Sequence, residues 1–224
     1  MTLYQIKPKF QALLRPLVTR LAARGVTANQ VTLAAAGGSL VVGALVSALA
    51  WLPGVFLLMP IWLVVRMALN AIDGMLAREH GQQSVLGAYL NELGDIVSDI
   101  ALILPFALVA PFGAGEIMVF ALLAVIVECA GLIGPLAGAS RRYDGPLGKS
   151  DRALVLGALG LWVGLGLSLA YAAHWLWVLL SLLSLLTIAN RVRRGVAEGE
   201  QARQASEASA QAAPRTKPSS QPVE

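Results

Sequence analysis

Apolar residues along the chain form several runs of about 20 residues, separated by short polar turns or by turns that contain Gly and Pro. A run of this length crosses the hydrocarbon core of a bilayer as an α-helix. The strict alternation typical of membrane β-barrels is absent, so an all-α membrane protein is expected. The pattern predicts a six-transmembrane-helix bundle with spans at 32–51, 55–78, 85–110, 117–139, a fifth ending near 171, and 174–188.

The flanks of the bundle show different patterns. Residues 1–24 predict an amphipathic interfacial helix lying against the membrane, with a solvated helix as the alternative. The six spans form a second unit, 25–190, and the tail 191–224 is rich in Ala, Gln, Ser and Pro and is predicted to be disordered. The apolar side of the N-terminal helix is Ile6, Phe10, Leu13, Leu14, Leu17 and Leu21, opposite Lys7, Lys9, Arg15, Arg20 and Arg24.

Composition and charge support a membrane location. The chain is 57% hydrophobic and only 13% charged, about half the charge of a soluble domain. Its net charge of +4 comes mostly from Lys and Arg beside the spans, which indicates orientation in a membrane rather than nucleic-acid binding. The Lys and Arg residues lie before the first span and after the second, fourth and sixth spans. We therefore expect a multi-pass bacterial inner-membrane protein with both termini in the cytoplasm.

Two predicted spans carry polar side chains at helical spacing. Asn70 and Asp73 lie three residues apart, and Asn91, Asp95 and Asp99 lie four apart, so each set occupies one helix face. Because polar groups inside a membrane are costly, they usually indicate function. Oxygen ligands from two neighbouring helices suit Mg²⁺ or Mn²⁺. Hydrogen bonding between helices is the alternative role for these residues.

Three further residues beside these sets favour a phosphate ligand. Gly74 and Gly87 leave the helix backbone bare, and Arg78 is one turn beyond Asp73, where its guanidinium can bind a phosphate through two hydrogen bonds. Deeper in the spans, Arg66 is expected to pair with Asp73 or Asp99 or to contact a substrate. Glu128 is expected to pair inside the bundle.

The spacing of this stretch resembles a known signature. Asp73-Gly-x-x-Ala77-Arg78, followed after eight residues by Gly87, after three more by position 91 and after three more by Asp95, is similar to the motif of the CDP-alcohol phosphotransferases. This resemblance implies a membrane enzyme of phospholipid synthesis. It would transfer a phosphatidyl group from a CDP-linked lipid, such as CDP-diacylglycerol, to a small alcohol and release CMP.

The resemblance also implies residue roles. Asp95 would be the catalytic base, and Mg²⁺ or Mn²⁺ would be held by Asp73, Asp95 and the family's other two acidic positions. Asn70 and Asn91 stand at those two positions, and each removes one negative charge, which supports one ion more strongly than two. The nucleotide would contact Asp73, Gly74, Ala77, Arg78 and Gly87.

A basic loop follows the fourth predicted span. It either anchors the membrane face or binds the phosphate of a phosphorylated acceptor. A catalytically weakened relative that binds CDP-lipid or a partner enzyme is the second functional hypothesis, and a transporter is the third. Small residues four apart in the spans are compatible with a homodimer. The candidate acceptor-phosphate residues are Arg141, Arg142, Lys149 and Arg152.

Overall fold

The computed structural model describes residues 3–212, with side chains described for 9–209. It contains seven α-helices and three short 3₁₀ segments in that range and no strand, which confirms the all-helical prediction. The 3₁₀ segments are Pro53–Leu57, Leu104–Leu108 and Tyr171–Ala173. The helices are α1 (Leu3–Ala23), α2 (Ala28–Ala48), α3 (Leu58–Glu79), α4 (Val85–Ile103), α5 (Ala114–Leu136), α6 (Lys149–Gly164) and α7 (His174–Ala212).

Four helical stretches in the described range are long and apolar enough to cross a membrane: Ala28–Ala48, Pro53–Glu79, Ala114–Leu136 and Tyr171–Ser209. These correspond to four of the six predicted spans. The other two predictions fall on α4 and α6. Helix α4 carries Glu92, Asp95 and Asp99 within its 19 residues, and α6 has only 16 residues, about 24 Å of helix. The two helices that depart from a typical span are therefore rich in charge or short.

The ends of the helices follow local sequence signals. Thr27 caps α2 by accepting a hydrogen bond from the Gln30 backbone N–H, and the Gln30 side chain accepts one from the Thr27 N–H. The loop after α3 supplies Gln82, whose Oε1 accepts from the Ala28 N–H at 2.7 Å. Ser84 caps α4 in the same way as Thr27 caps α2. These contacts satisfy backbone donors at helix starts and bring the beginnings of α2 and α4 beside the end of α3.

Helix α2 packs against both α3 and α4, α6 packs against α3, and α5 packs against α7. Contacts from Asn29 to Gly87 and from Gly43 to Ala101 show that α2 and α4 run in the same direction. The helices α2, α4 and α6 all begin at one end of the bundle, which is called the site end below. At the opposite end, Trp177 is fully buried among the rings of Phe106, Phe112 and Phe120, and Phe56 packs against Phe106.

Small residues in the spans make close contacts within the chain. A Cβ at Gly43 would overlap the backbone carbonyl of Ala101 on α4, and one at Gly160 would lie 2.6 Å from the Cβ of Met59. Ser39 accepts a hydrogen bond from Trp62 Nε1. The small residues therefore allow helices of one chain to approach each other. The homodimer stays a prediction that these contacts leave untested.

The prediction of disorder from residue 191 is wrong for 191–212, where α7 continues without interruption. This segment is rich in Ala, Gln, Glu and Arg, which favour helix, and it is held by the loop before α6. Glu198 accepts hydrogen bonds from the backbone N–H of Ser140 at 3.0 Å and from Arg142. Residues 213–224 of the predicted tail lie outside the described range.

Candidate functional site

Seven charged side chains from α3, α4, α5, α6 and α7 form a connected network inside the bundle. Its guanidinium groups are almost completely shielded, since Arg152 is 1% exposed, Arg66 3% and Arg191 3%. Charges at this depth are tolerated when they pair with one another. We call this network the charged cluster; it consists of Arg66, Asp95, Asp99, Glu128, Lys149, Arg152 and Arg191.

Asp99 is the centre of the charged cluster. Its Oδ1 accepts a hydrogen bond from Arg66 Nη1 at 2.7 Å, and its Oδ2 accepts from Arg152 Nη2 at 2.7 Å. The predicted pairing of Arg66 is therefore confirmed with Asp99 as the partner. Two guanidinium groups on one buried carboxylate join α3, α4 and α6.

Glu128 lies on α5 and connects the charged cluster to α7. Its predicted pairing inside the bundle is confirmed. Its Oε1 accepts a hydrogen bond from Arg152 at 2.7 Å, and its Oε2 lies 3.6 Å from Arg191 Nη1. Arg191 also donates to the backbone carbonyl of Val127 at 2.6 Å. A buried carboxylate between two arginines thus ties the last helix to the centre of the bundle.

Asp95 connects the cluster to the motif. Its Oδ1 accepts hydrogen bonds from Asn70 Nδ2 and from Arg66 Nη2, each at 3.3 Å. Its Oδ2 contacts the ammonium group of Lys149, the first residue of α6. The structure therefore brings together Asn70 and Asp95, which were predicted to share one metal site. It adds Lys149, which was predicted to bind the acceptor phosphate.

Asp73 is the first residue of the motif, lies on α3 and is 4% exposed. Its Oδ2 accepts a hydrogen bond from Thr32 Oγ1 on α2 at 2.9 Å. Asn91 is half-buried one turn before Asp95 on α4, and no side-chain hydrogen bond joins it to another described residue. The two carboxylates predicted as metal ligands thus have different partners, Thr32 for Asp73 and a set of cations and an amide for Asp95.

The predicted nucleotide residues lie at the site end. Arg78 is exposed and folds back along α3, so that a Cβ at Gly74 would lie 3.0 Å from its Nη2. A Cβ at Gly87 would lie 2.7 Å from Asn29 Oδ1, at the point where α2 and α4 begin together. Ala77 is half-buried against the apolar contacts between α3 and the first helices. Both glycines therefore permit a close approach that a side chain would block.

The four basic residues predicted for an acceptor phosphate separate into different contacts. Arg141 binds Glu92 on α4, with Nη2 and Oε2 2.8 Å apart, and Arg142 binds Asp144 and Glu198. Lys149 and Arg152, in contrast, belong to the charged cluster. The structure thus brings two of the four to the centre of the bundle and holds the other two at carboxylates around the loop.

The loop between α5 and α6 is fixed to α7 by Asp144. Its carboxylate accepts hydrogen bonds from Arg142 at 2.8 Å and from Arg194 at 2.7 Å. Desolvation raises the pKa of Asp144, but the hydrogen bonds from the two arginines outweigh it and hold the pKa below its ordinary value. This ion-paired loop leads directly into Lys149.

Sequence reasoning missed three contributors to this site: Thr32, Arg191 and the contact of Lys149 with Asp95. Arg191 had been assigned to the tail because the apolar run ends before it. A usable signal was present, since Ser184, Thr187 and Arg191 recur at three- and four-residue spacing and all three are buried. Lys149 carried no such signal, because its partner is 54 residues away in sequence.

Two of the side chains predicted to hold a divalent ion, Asn70 and Asp95, are already engaged with each other, and Asp95 is also engaged with cations. All four residues predicted as ligands offer oxygen, but both oxygens of Asp95 already accept from Lys149, Arg66 or Asn70. As arranged here, the residues do not fit the two-ion cage that the resemblance implies.

The fold and the charged cluster define a helical membrane protein with a polar site inside its bundle. The inner membrane protein YnbA of Escherichia coli (strain K12) is 49% identical to this chain over 199 residues, covering 86% of the chain and 96% of YnbA. The chain belongs to the family of this inner membrane protein. No protein-family model matches the sequence.

Proposed function

We propose that the protein is a membrane phosphotransferase that moves a phosphatidyl group from a CDP-linked lipid to a small alcohol and releases CMP. The observation that carries this proposal is the contact between Asn70 on α3 and Asp95 on α4. It joins the two halves of the motif, so that Asp95 shares one end of the bundle with Gly74, Arg78 and Gly87. An acidic group, bare backbone and a guanidinium together suit a nucleotide pyrophosphate.

The proposed reaction is a displacement at the phosphorus atom of the lipid. The acceptor oxygen forms a bond to this phosphorus while the bond from phosphorus to the CMP oxygen breaks, and the electron pair leaves with CMP. Asp95 takes the proton of the acceptor hydroxyl. Lys149 and Arg78 stabilise the negative charge of the phosphates, and the bundle supplies positioning, which dominates catalysis of phosphoryl transfer.

The proposal includes an arrangement in the membrane. Helices α4 and α6 complete a set of six spans with the four apolar ones, because their charges face the bundle interior and pair there. Helix α1 lies at the membrane surface, where Leu13 and Leu17 are exposed and Arg15 pairs with Glu79 at the end of α3. From the basic residues around the site end and the positive-inside rule, we infer that this end and both termini face the cytoplasm.

The test is release of CMP by the purified protein in lipid nanodiscs. CDP-diacylglycerol is supplied with a panel of small polar and phosphorylated alcohols, in separate arms with Mg²⁺, with Mn²⁺ and with EDTA. We expect CMP release with at least one acceptor and loss of release in Asp95→Asn. Arg203→Gln is the matched control, because Arg203 pairs with Glu207 alone among the described residues, on the exposed end of α7. Folded protein that releases no CMP with any acceptor in any arm contradicts the proposal.

The second candidate function is a weakened relative that binds a CDP-lipid or a partner enzyme without turnover. The favouring observation is that the carboxylate proposed as base is already engaged by Asn70, Arg66 and Lys149. The double variant Asn70→Asp with Asn91→Asp separates the two functions. Activity that appears in the variant and is absent from the parent supports the weakened relative, whereas activity lost from an active parent supports the enzyme.

A further inference from the structure

The resemblance predicts a divalent ion at Asp95, whereas the structure puts an ammonium group there. Lys149 contacts Oδ2, and the two donors on Oδ1 are Arg66 and Asn70. We propose that Lys149 takes the place of this ion and that the site binds the pyrophosphate of a nucleotide with no divalent cation at Asp95. This inference rests on the proposed function, since it concerns how the same donor is held.

The charge of the site supports this inference. The four cations of the charged cluster face its three carboxylates, and Asp73 on the neighbouring motif face brings the number of carboxylates to four. These eight side chains thus balance in charge before any ligand enters, and Arg78 at the site end adds one positive charge. A divalent ion would add two positive charges to a mostly desolvated group, and such unbalanced charge is expensive. Asn70 and Asn91 remove the two negative charges that would have compensated for it.

The hydrogen bonds of the site show the same preference. Arg66 Nε and Arg152 Nη1 are buried donors with no acceptor among the described residues. Asn70 also turns a donor, its amide N–H, toward Asp95. With Asp at position 70, two carboxylates would face each other and would require a cation between them. The site thus holds more hydrogen-bond donors than acceptors around Asp95, and a further cation there would supply no acceptor.

A ligand can reach Lys149 from the site end. Its side chain is 32% exposed, in contrast to the 1% of Arg152 deeper in the cluster. Arg78 is exposed at the end of α3, and the N-termini of α2, α4 and α6 lie at the same end. Helix N-termini carry partial positive charge and add to the two side-chain cations. Lys149 is therefore the cation of the charged cluster that a phosphate oxygen can reach while it stays beside Asp95.

The experiment measures binding of CDP to the full-length protein in nanodiscs by calorimetric titration. The dissociation constant is compared in EDTA and in excess Mg²⁺. We expect the two values to agree within about twofold, and we expect Lys149→Gln to weaken binding by about tenfold or more. Lys149→Arg keeps the charge and should bind CDP nearly as well as the parent, which separates lost charge from lost folding. Lys9→Gln, at an exposed position of α1, is the control for general loss of positive charge.

Each outcome has one meaning. Binding that requires Mg²⁺, unchanged binding by Lys149→Gln, or equal loss in Lys149→Gln and Lys149→Arg overturns the role of Lys149 while leaving the proposed function in place. No binding of CDP in either solution overturns the proposed function and this inference with it.

Discussion

The side-chain amide of Asn70 donates a hydrogen bond to Asp95 Oδ1 across 3.3 Å, from α3 to α4. The two helices pack mainly through α2, which contacts both, so this bond is one of the few direct links between the two halves of the motif. An amide at position 70 satisfies the carboxylate, whereas an acid would repel it. With Asn at position 70, Asp95 keeps a hydrogen-bond donor on one oxygen and the Lys149 ammonium group on the other. With Asp at position 70, the two carboxylates would need a further cation to offset their repulsion.

Asn70→Asp should lower the midpoint of thermal unfolding, because it replaces this donor with a second carboxylate. We expect a cost of about 1–3 kcal/mol in the absence of metal, the usual penalty for an unsatisfied buried polar group. Added Mn²⁺ should recover part of the loss. Gln201→Glu, on the exposed part of α7, is the control for adding one negative charge. A midpoint that neither falls in the variant nor responds to Mn²⁺ would contradict this reading of the contact.

Arg152→Met should destabilise the protein strongly. The substitution removes donors from Asp99 and Glu128 and leaves both carboxylates buried. Breaking a buried ion pair on one side costs about 3–5 kcal/mol, so we expect a large drop in the unfolding midpoint and in the yield of folded protein. Arg203→Met removes a pair whose side chains are 81% and 56% exposed, and its effect should be about 0–1 kcal/mol. Equal behaviour of the two variants would show that the cluster does not stabilise the bundle.

Gly43→Ala should destabilise the contact between α2 and α4, because the new methyl group would overlap the carbonyl of Ala101. Overpacking of this kind costs about 1–3 kcal/mol. Gly37→Ala on the same helix is the matched variant, since no atom lies within 4 Å of its Cβ position. It should be neutral or stabilising by up to about 1 kcal/mol. The comparison uses thermal unfolding in one detergent, and a reversed order of the two midpoints would contradict the packing of α2 on α4.

The loop between α5 and α6 should lose stability in acid. Since the folded-state pKa of Asp144 lies below its ordinary value, its contribution is fully present above the unfolded pKa of about 3.9 and is lost as the pH falls through the folded-state pKa. Asp144→Asn should therefore lower the unfolding midpoint near neutral pH. The difference from the parent should shrink below about pH 4. If the difference in unfolding midpoint between Asp144→Asn and the parent stayed constant across this pH range, the effect would come from the shape of the side chain rather than from its charge.

Much of the helical architecture was predictable from the sequence, because it depends on local patterns. Apolar runs of span length located α2, α3, α5 and α7. The end of α7 was not predictable in this way. Its polar segment past residue 190 looks disordered by composition, and contacts such as Glu198 with Ser140 hold it as a helix.

The approach of the polar residues of α3 and α4 was also predictable, because three- and four-residue spacing puts such residues on one face of a helix. That argument led to the expectation that Asn70 and Asp95 lie close together, and Asp99 was one of two candidate partners of Arg66. It did not reveal that Asn70 acts as a donor to Asp95. The orientation of an amide depends on its neighbours in space, and Arg66 and Lys149 are among those neighbours.

The sequence by itself determined that this chain is a helical membrane protein with polar residues on two of its helices, because periodicity and hydropathy are local properties. Only the tertiary structure decided which charges meet. Lys149 reaches Asp95 over 54 residues, and Arg191 approaches Glu128 from the last helix. The reason is energetic, because a charge buried in a bundle requires a partner of opposite charge. The sequence alone is compatible with many such pairings. The packing of the helices selects one of them.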